Sequence, residues 1–68
     1  MDYKVRNENI IIKGSRGHYE CVYIPDEDEP ITSIISCVYM YYTKRETLKL
    51  FKERVKKEMK KSFINLFY

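Results

Sequence analysis

The hydrophobic and polar positions of this chain change period once, at Thr43, dividing it into a strand-forming part and a helix-forming part. From Asn9 to Lys13 the run NIIIK is short and β-branched, the composition of a strand. GSRG, residues 14–17, supplies two glycines in four positions, a turn signal. HYECVYI, residues 18–24, then alternates and is rich in β-formers. The two runs predict a hairpin. PDEDEP, residues 25–30, is bounded by prolines and holds four consecutive acids, so it is expected as a solvated loop. A third strand follows over 31–42. Paired antiparallel with the second, it sets Cys21 opposite Cys37.

After Thr43 the spacing becomes helical. Thr43 followed by Glu46 is a capping box, in which the threonine oxygen accepts a free amide of the first turn and the glutamate reaches back. Leu48, Phe51, Val55, Met59 and Ser62 recur at three and four residues, one apolar stripe of an amphipathic helix. A helix over 44–61 would be about 27 Å long. The ending FINLFY leaves the stripe and is open to three readings: a further helical turn, a short strand, or an arm. The expected fold class is α+β, a single domain over residues 1–68. It holds a three-stranded antiparallel β-meander (9–13, 18–24, 31–42), one long amphipathic C-terminal helix (44–61) and a tail (62–68).

One stretch resists simple alternation. In ISCVYMYY, Ile35, Cys37, Tyr39 and Tyr41 fall on one side, and Ser36, Val38, Met40 and Tyr42 on the other. Both sides are largely apolar, yet one helix covers one side of a sheet. The expected buried side is aliphatic: Ile10, Ile12, Val22, Ile24, Ile34, Val38 and Met40. The side left open then carries Ile11, Lys13, Cys21 and Cys37 with the tyrosines. The reverse choice, the cysteine–tyrosine side against the helix, stays open. On the expected choice Tyr19, Tyr23, Ile35, Tyr39 and Tyr41 form a subunit or partner interface. Each tyrosine buries on the order of 150–250 Å², and an exposed apolar patch above a few hundred Å² marks an interaction site. A sheet-to-sheet homodimer is the leading expectation, with FINLFY folded over the patch as the plainer alternative.

Size sharpens the need for a partner. A chain of 68 residues hides only about 60% of its unfolded surface, and one such core rarely supplies more than about 3–5 kcal/mol unaided. Disulfides, metals and oligomers are the usual remedies. Two cysteines are too few for a secreted disulfide scaffold. The polar start MDYKVRNENI and the lack of a long apolar run predict a cytoplasmic protein with reduced thiols and no membrane span. His18 lies three residues from Cys21, so on a strand the two point to opposite faces and do not share a metal. No metal and no cofactor are expected, and no catalytic residues: the motifs of hydrolases and phosphate loops are missing. The remaining remedy is a homo-oligomer.

Charge adds a second candidate surface. Residues 1–43 carry four basic and seven acidic side chains (−3), and residues 44–68 nine basic and three acidic (+6). On the helix Lys49, Lys56 and Lys60 share one flank, while Arg54, Lys57 and Lys61 lie on the other flank and the back. These six are candidate phosphate contacts, since each neutralised phosphate releases counterions; the plain alternative is a solvated basic helix. Sheet tyrosines could stack unpaired bases beside them.

Two short likenesses accompany these readings. Three strands followed by Thr43, Lys44, Arg45 and Glu46 at a helix start resemble the arm-binding domains of phage integrases, where the sheet enters the DNA major groove. Tyr23, Ile24, Pro25 and Asp26 ahead of a Thr-started helix resemble HicB-type antitoxins, which have a glycine-containing segment in place of ITSIISCVYMYY. Each likeness covers a few residues and a common topology, and the chain is assigned to neither. The functional expectation is a small non-enzymatic interaction protein, a homodimer that binds and could inhibit an unidentified protein partner in a phage or mobile-element setting. Nucleic-acid binding is the alternative, and small-molecule sequestration at a dimer interface a weaker one.

Overall fold

A turn of 3-10 helix over Asn7–Asn9 leads into strands β1 (Ile10–Ser15), β2 (His18–Tyr23) and β3 (Ile35–Met40), then helix α1 (Lys44–Phe67). These come from a computed structural model that describes residues 6–27 and 34–67, with side chains as far as Lys61. The sheet order is β1-β2-β3 with both pairs antiparallel, the predicted β-β-β-α meander. β1 runs two residues beyond its expected end, and β3 stops at Met40 instead of Tyr42. Residues 31–33 of the expected third strand, and 28–30 of the acidic loop, lie outside the described residues. The helix continues past 61 to Phe67, so the backbone of FINLF, residues 63–67, extends it, and Tyr68 lies outside the described residues.

The β1–β2 turn fixes which side chains share a face. Ser15 pairs with His18, leaving Arg16 and Gly17 as a two-residue loop. Both have positive φ, 52° and 81°, the type I′ geometry whose twist suits a hairpin. Gly14 is needed beside it, because a Cβ there would lie 2.1 Å from the His18 carbonyl oxygen. This short loop sets Ile10 opposite Tyr23 and Ile12 opposite Cys21. Across β2–β3, Tyr19 faces Tyr39, Cys21 faces Cys37 as expected, and Tyr23 faces Ile35.

The helix packs on that face. Cys21, Tyr23, Phe51, Val55 and Met59 form the buried core, with Ile10, Ile12, Ile35, Cys37 and Tyr39 packed against it. The expected aliphatic assignment is therefore corrected. Ile10 and Ile12 do face the helix, but together with the cysteines and tyrosines, while Val22, Val38 and Met40 lie on the other side. The error is one of parity: a loop one residue longer or shorter would have turned β1 over. In the core the small row Ile12–Cys21–Cys37 runs between rows that hold Tyr19 with Tyr39 and Tyr23 with Ile35. Tyr39 meets Phe51 edge-on, ring centroids 6.3 Å apart.

The chain leaves the sheet at Tyr41, whose φ is 71°. Its N–H donates to the Gly17 carbonyl at 2.6 Å, and the left-handed backbone throws the ring into solvent, 93% exposed. Tyr42 then turns back to meet Tyr39 edge-on at 6.3 Å. The predicted capping box follows. The Thr43 N–H donates to Glu46 Oε1 and the Glu46 N–H to Thr43 Oγ1, both at 3.1 Å. Thr47, fully buried, donates its hydroxyl to the Thr43 carbonyl at 2.8 Å. Twenty-four helical residues span about 36 Å, against about 20 Å for a six-residue strand. The helix therefore overreaches the sheet, and the molecule measures 41 × 18 × 16 Å.

Candidate interaction surface

The sheet face away from α1 is open, and its side chains follow from the register. Four rows cross it: Ser15–His18–Met40, Lys13–Glu20–Val38, Ile11–Val22–Ser36, and at the far end Asn9–Ile24–Ile34. The hairpin end of β1 and β2 is polar. The β3 side and the far end are apolar, with Ile11 43%, Val38 54%, Met40 48% and Ile34 63% exposed. An apolar strip along an uncharged strand, beside a polar rim, is the composition of a recognition surface.

The expected interface residues separate in the structure. Tyr23 has no exposed surface and belongs to the chain's own core. Tyr19, Ile35 and Tyr39 are half-buried on the same helix-covered face. Tyr41 alone of the five is open, at the sheet edge rather than on the face of Tyr39. What a second subunit was expected to cover is covered by α1 instead. Val22, Val38 and Met40, expected in the core, line the open face.

The covered face also explains its chemistry. Burial, and after it the nearness of Cys37, pushes the Cys21 thiol up from its usual range. Burial, and then a hydrogen bond with the Cys37 thiol, pushes the Tyr39 hydroxyl up to about 12. Cys37 Sγ also lies 3.8 Å from the Val38 carbonyl. Both thiols are free and face α1, while His18 stands on the opposite side of the sheet beside Ser15 and Met40. The sheet thus separates the imidazole from the thiols. Among the described residues, no three His, Cys, Asp or Glu side chains gather as metal ligands.

The helix supplies the charged surface. Lys49, Arg54, Lys56, Lys57, Lys60 and Lys61 are all exposed, and Arg54 lies near enough to Tyr39 for its charge to act on that hydroxyl. The ion pair formed among the described residues joins Arg6 to Asp26, away from these cations. No helix of the described residues is long and apolar enough to cross a membrane. Comparison with known proteins places the chain in no group: no family model, no characterised protein and no solved structure matches it.

Proposed function

We propose that this chain is a small non-enzymatic binding protein that works as a homodimer and engages another macromolecule through the open face of its sheet. The observation that carries this is the exposed apolar strip of Ile11, Val38, Met40 and Ile34 on the face that α1 leaves bare. Dimerisation is supported by size, because so small a core gains most from a second copy. The sheet holds its thiols and its imidazole apart, which favours binding over nucleophilic chemistry. Light scattering across the micromolar range should give twice the chain mass, and a monomer throughout would remove the homodimer. Ile11→Lys should abolish capture of a specific partner from the native host that the wild type retains. Equal capture by both proteins would remove the face as the binding site.

A second reading, nucleic-acid binding, keeps its support from the exposed cations of α1. It loses three of its stacking tyrosines, because Tyr19, Tyr23 and Tyr39 face the helix, and keeps the exposed Tyr41.

A further inference from the structure

We infer that two copies join edge to edge along β3, antiparallel about Val38, continuing the sheet from three strands to six; this rests on the homodimer reading above and gives it a geometry. Two backbone bonds fix the phase of the ladders. The Ile24 N–H donates to the Asn9 carbonyl at 3.0 Å, and the Tyr41 N–H to the Gly17 carbonyl at 2.6 Å. In an antiparallel sheet alternate residues turn their N–H and C=O groups to opposite neighbours. The even residues of β2 therefore bond to β1 and the odd ones to β3. On β3, Ile35, Cys37 and Tyr39 point their backbone at β2. Ser36, Val38 and Met40 point theirs away from the sheet.

That outward edge lacks the devices that keep edges apart. Native sheets blunt them with charged side chains, proline or bulges, and residues 34–43 contain no charge and no proline. β1, the other edge, carries Lys13 and the positive-φ backbone of Gly14. A twofold axis at Val38 sets Val38 against its own copy and Ser36 against Met40, so each outward N–H meets a carbonyl.

Area, and an edge with no charge to repel its own copy, favour a second copy as the occupant. The chain exposes 5503 Å², about 900 Å² more than the roughly 4,600 Å² of a compact monomer of its 8.3 kDa. A stable interface takes about 800 Å² from each partner. The same axis lays the two α1 helices side by side and antiparallel on one layer. The flank of α1 on the β3 side is marked by the cleft that Tyr42 forms with Glu46, Lys49, Leu50 and Glu53, and by Arg54, whose charge acts on Tyr39. Acids and bases are mixed along the first half of this flank (Glu46, Lys49, Glu53, Arg54), and Lys57 and Lys61 follow in its second. The outer sheet face stays free on both copies.

Val38→Pro tests the geometry, since it deletes an outward N–H and leaves the ladder to β2 intact. Losing one or two intersubunit hydrogen bonds should raise the dissociation constant about tenfold or more by light scattering, with the circular dichroism of a folded chain. Ile11→Lys, on the outer face but far from β3, should remain dimeric. A wild-type dimer that survives Val38→Pro, or that Ile11→Lys dissociates, would overturn the edge pairing and leave the homodimer standing. A wild type that is monomeric throughout would overturn both. Should Val38→Pro not fold, amide exchange of the wild type decides: Ser36, Val38 and Met40 should be protected in the dimer and fast on dilution. Fast exchange under both conditions would overturn the pairing.

Discussion

At the residue scale, the buried Cys21 thiol and the half-buried Tyr39 hydroxyl govern behaviour in alkali. In the unfolded chain the Cys21 thiol titrates near its ordinary 9.0 and the Tyr39 hydroxyl near 10.0; folding raises both. Between the unfolded and folded values the folded chain holds protons that the unfolded chain has released, so stability falls as pH rises. The contribution of these groups is whole below pH 9 and drains away through the thiol range and then up to about 12. The melting temperature should be level from neutral pH to about 9 and decline above it. Cys21→Val should flatten the first part of that decline. A melting temperature constant to pH 11 would show that neither group is shielded. Gly14 accepts no side chain: a methyl group there collides with the His18 carbonyl, so Gly14→Ala should disrupt the hairpin.

At the scale of elements, α1 depends on its start and its stripe. The reciprocal bonds of Thr43 and Glu46 satisfy amides that the first turn leaves free. Thr43→Ala should cost about 0.5–2 kcal/mol and lower the melting temperature by several degrees. Hydrogen bonds from the Thr43 N–H, and after it from the Thr43 hydroxyl, hold the Glu46 carboxyl below its ordinary range. Their contribution is present above the unfolded pKa and lost as pH falls through the folded one. Glu46→Ala, which removes the carboxylate that accepts from the Thr43 N–H, should therefore matter less in acid, which a melting series at low pH checks. Phe51 is the keystone of the stripe, buried and edge-on to Tyr39. Phe51→Ala should cost about 3–5 kcal/mol, comparable with all that a core of this size supplies. Denaturant titration should find that variant largely unfolded. Tyr41 is the opposite case: its ring is in solvent and its φ is positive. Tyr41→Gly should leave stability unchanged or slightly raised, since glycine adopts that backbone freely.

The whole molecule is a two-layer plate with unlike sides. One layer is a basic helix; the other ends in an open sheet face that is part apolar, part neutral-polar. If the basic layer meets nucleic acid, changing Lys49, Lys56 and Lys60 together to Gln should weaken binding to a labelled oligonucleotide. It should also reduce the salt slope by roughly one per lost phosphate contact. An unchanged slope would leave these lysines as solvation only, and their place on the far side of α1 from the sheet means that the fold itself should tolerate the change.

The sequence by itself determined the elements and their order, because these depend on contacts between near neighbours. The change of period at Thr43, the cap to Glu46, the glycine turn and the stripe of Phe51, Val55 and Met59 are all local. The pairing of Cys21 with Cys37 was legible too, since it required only that the second and third strands run antiparallel in the register their lengths favour. Which face the helix would cover was left to the tertiary structure. Both faces of β3 are apolar, so patterning does not choose between them, and the side that β1 shows depends on whether the hairpin loop holds two residues or three. The two-residue turn at Arg16 and Gly17 put Ile10 and Ile12 with the tyrosines. The left-handed backbone at Tyr41 ended β3 two residues early and freed that ring. Those two backbone choices moved the candidate surface from Tyr19, Tyr23 and Tyr39 to Ile11, Val38 and Met40, because a shift of one residue in a strand exchanges its buried and exposed sides.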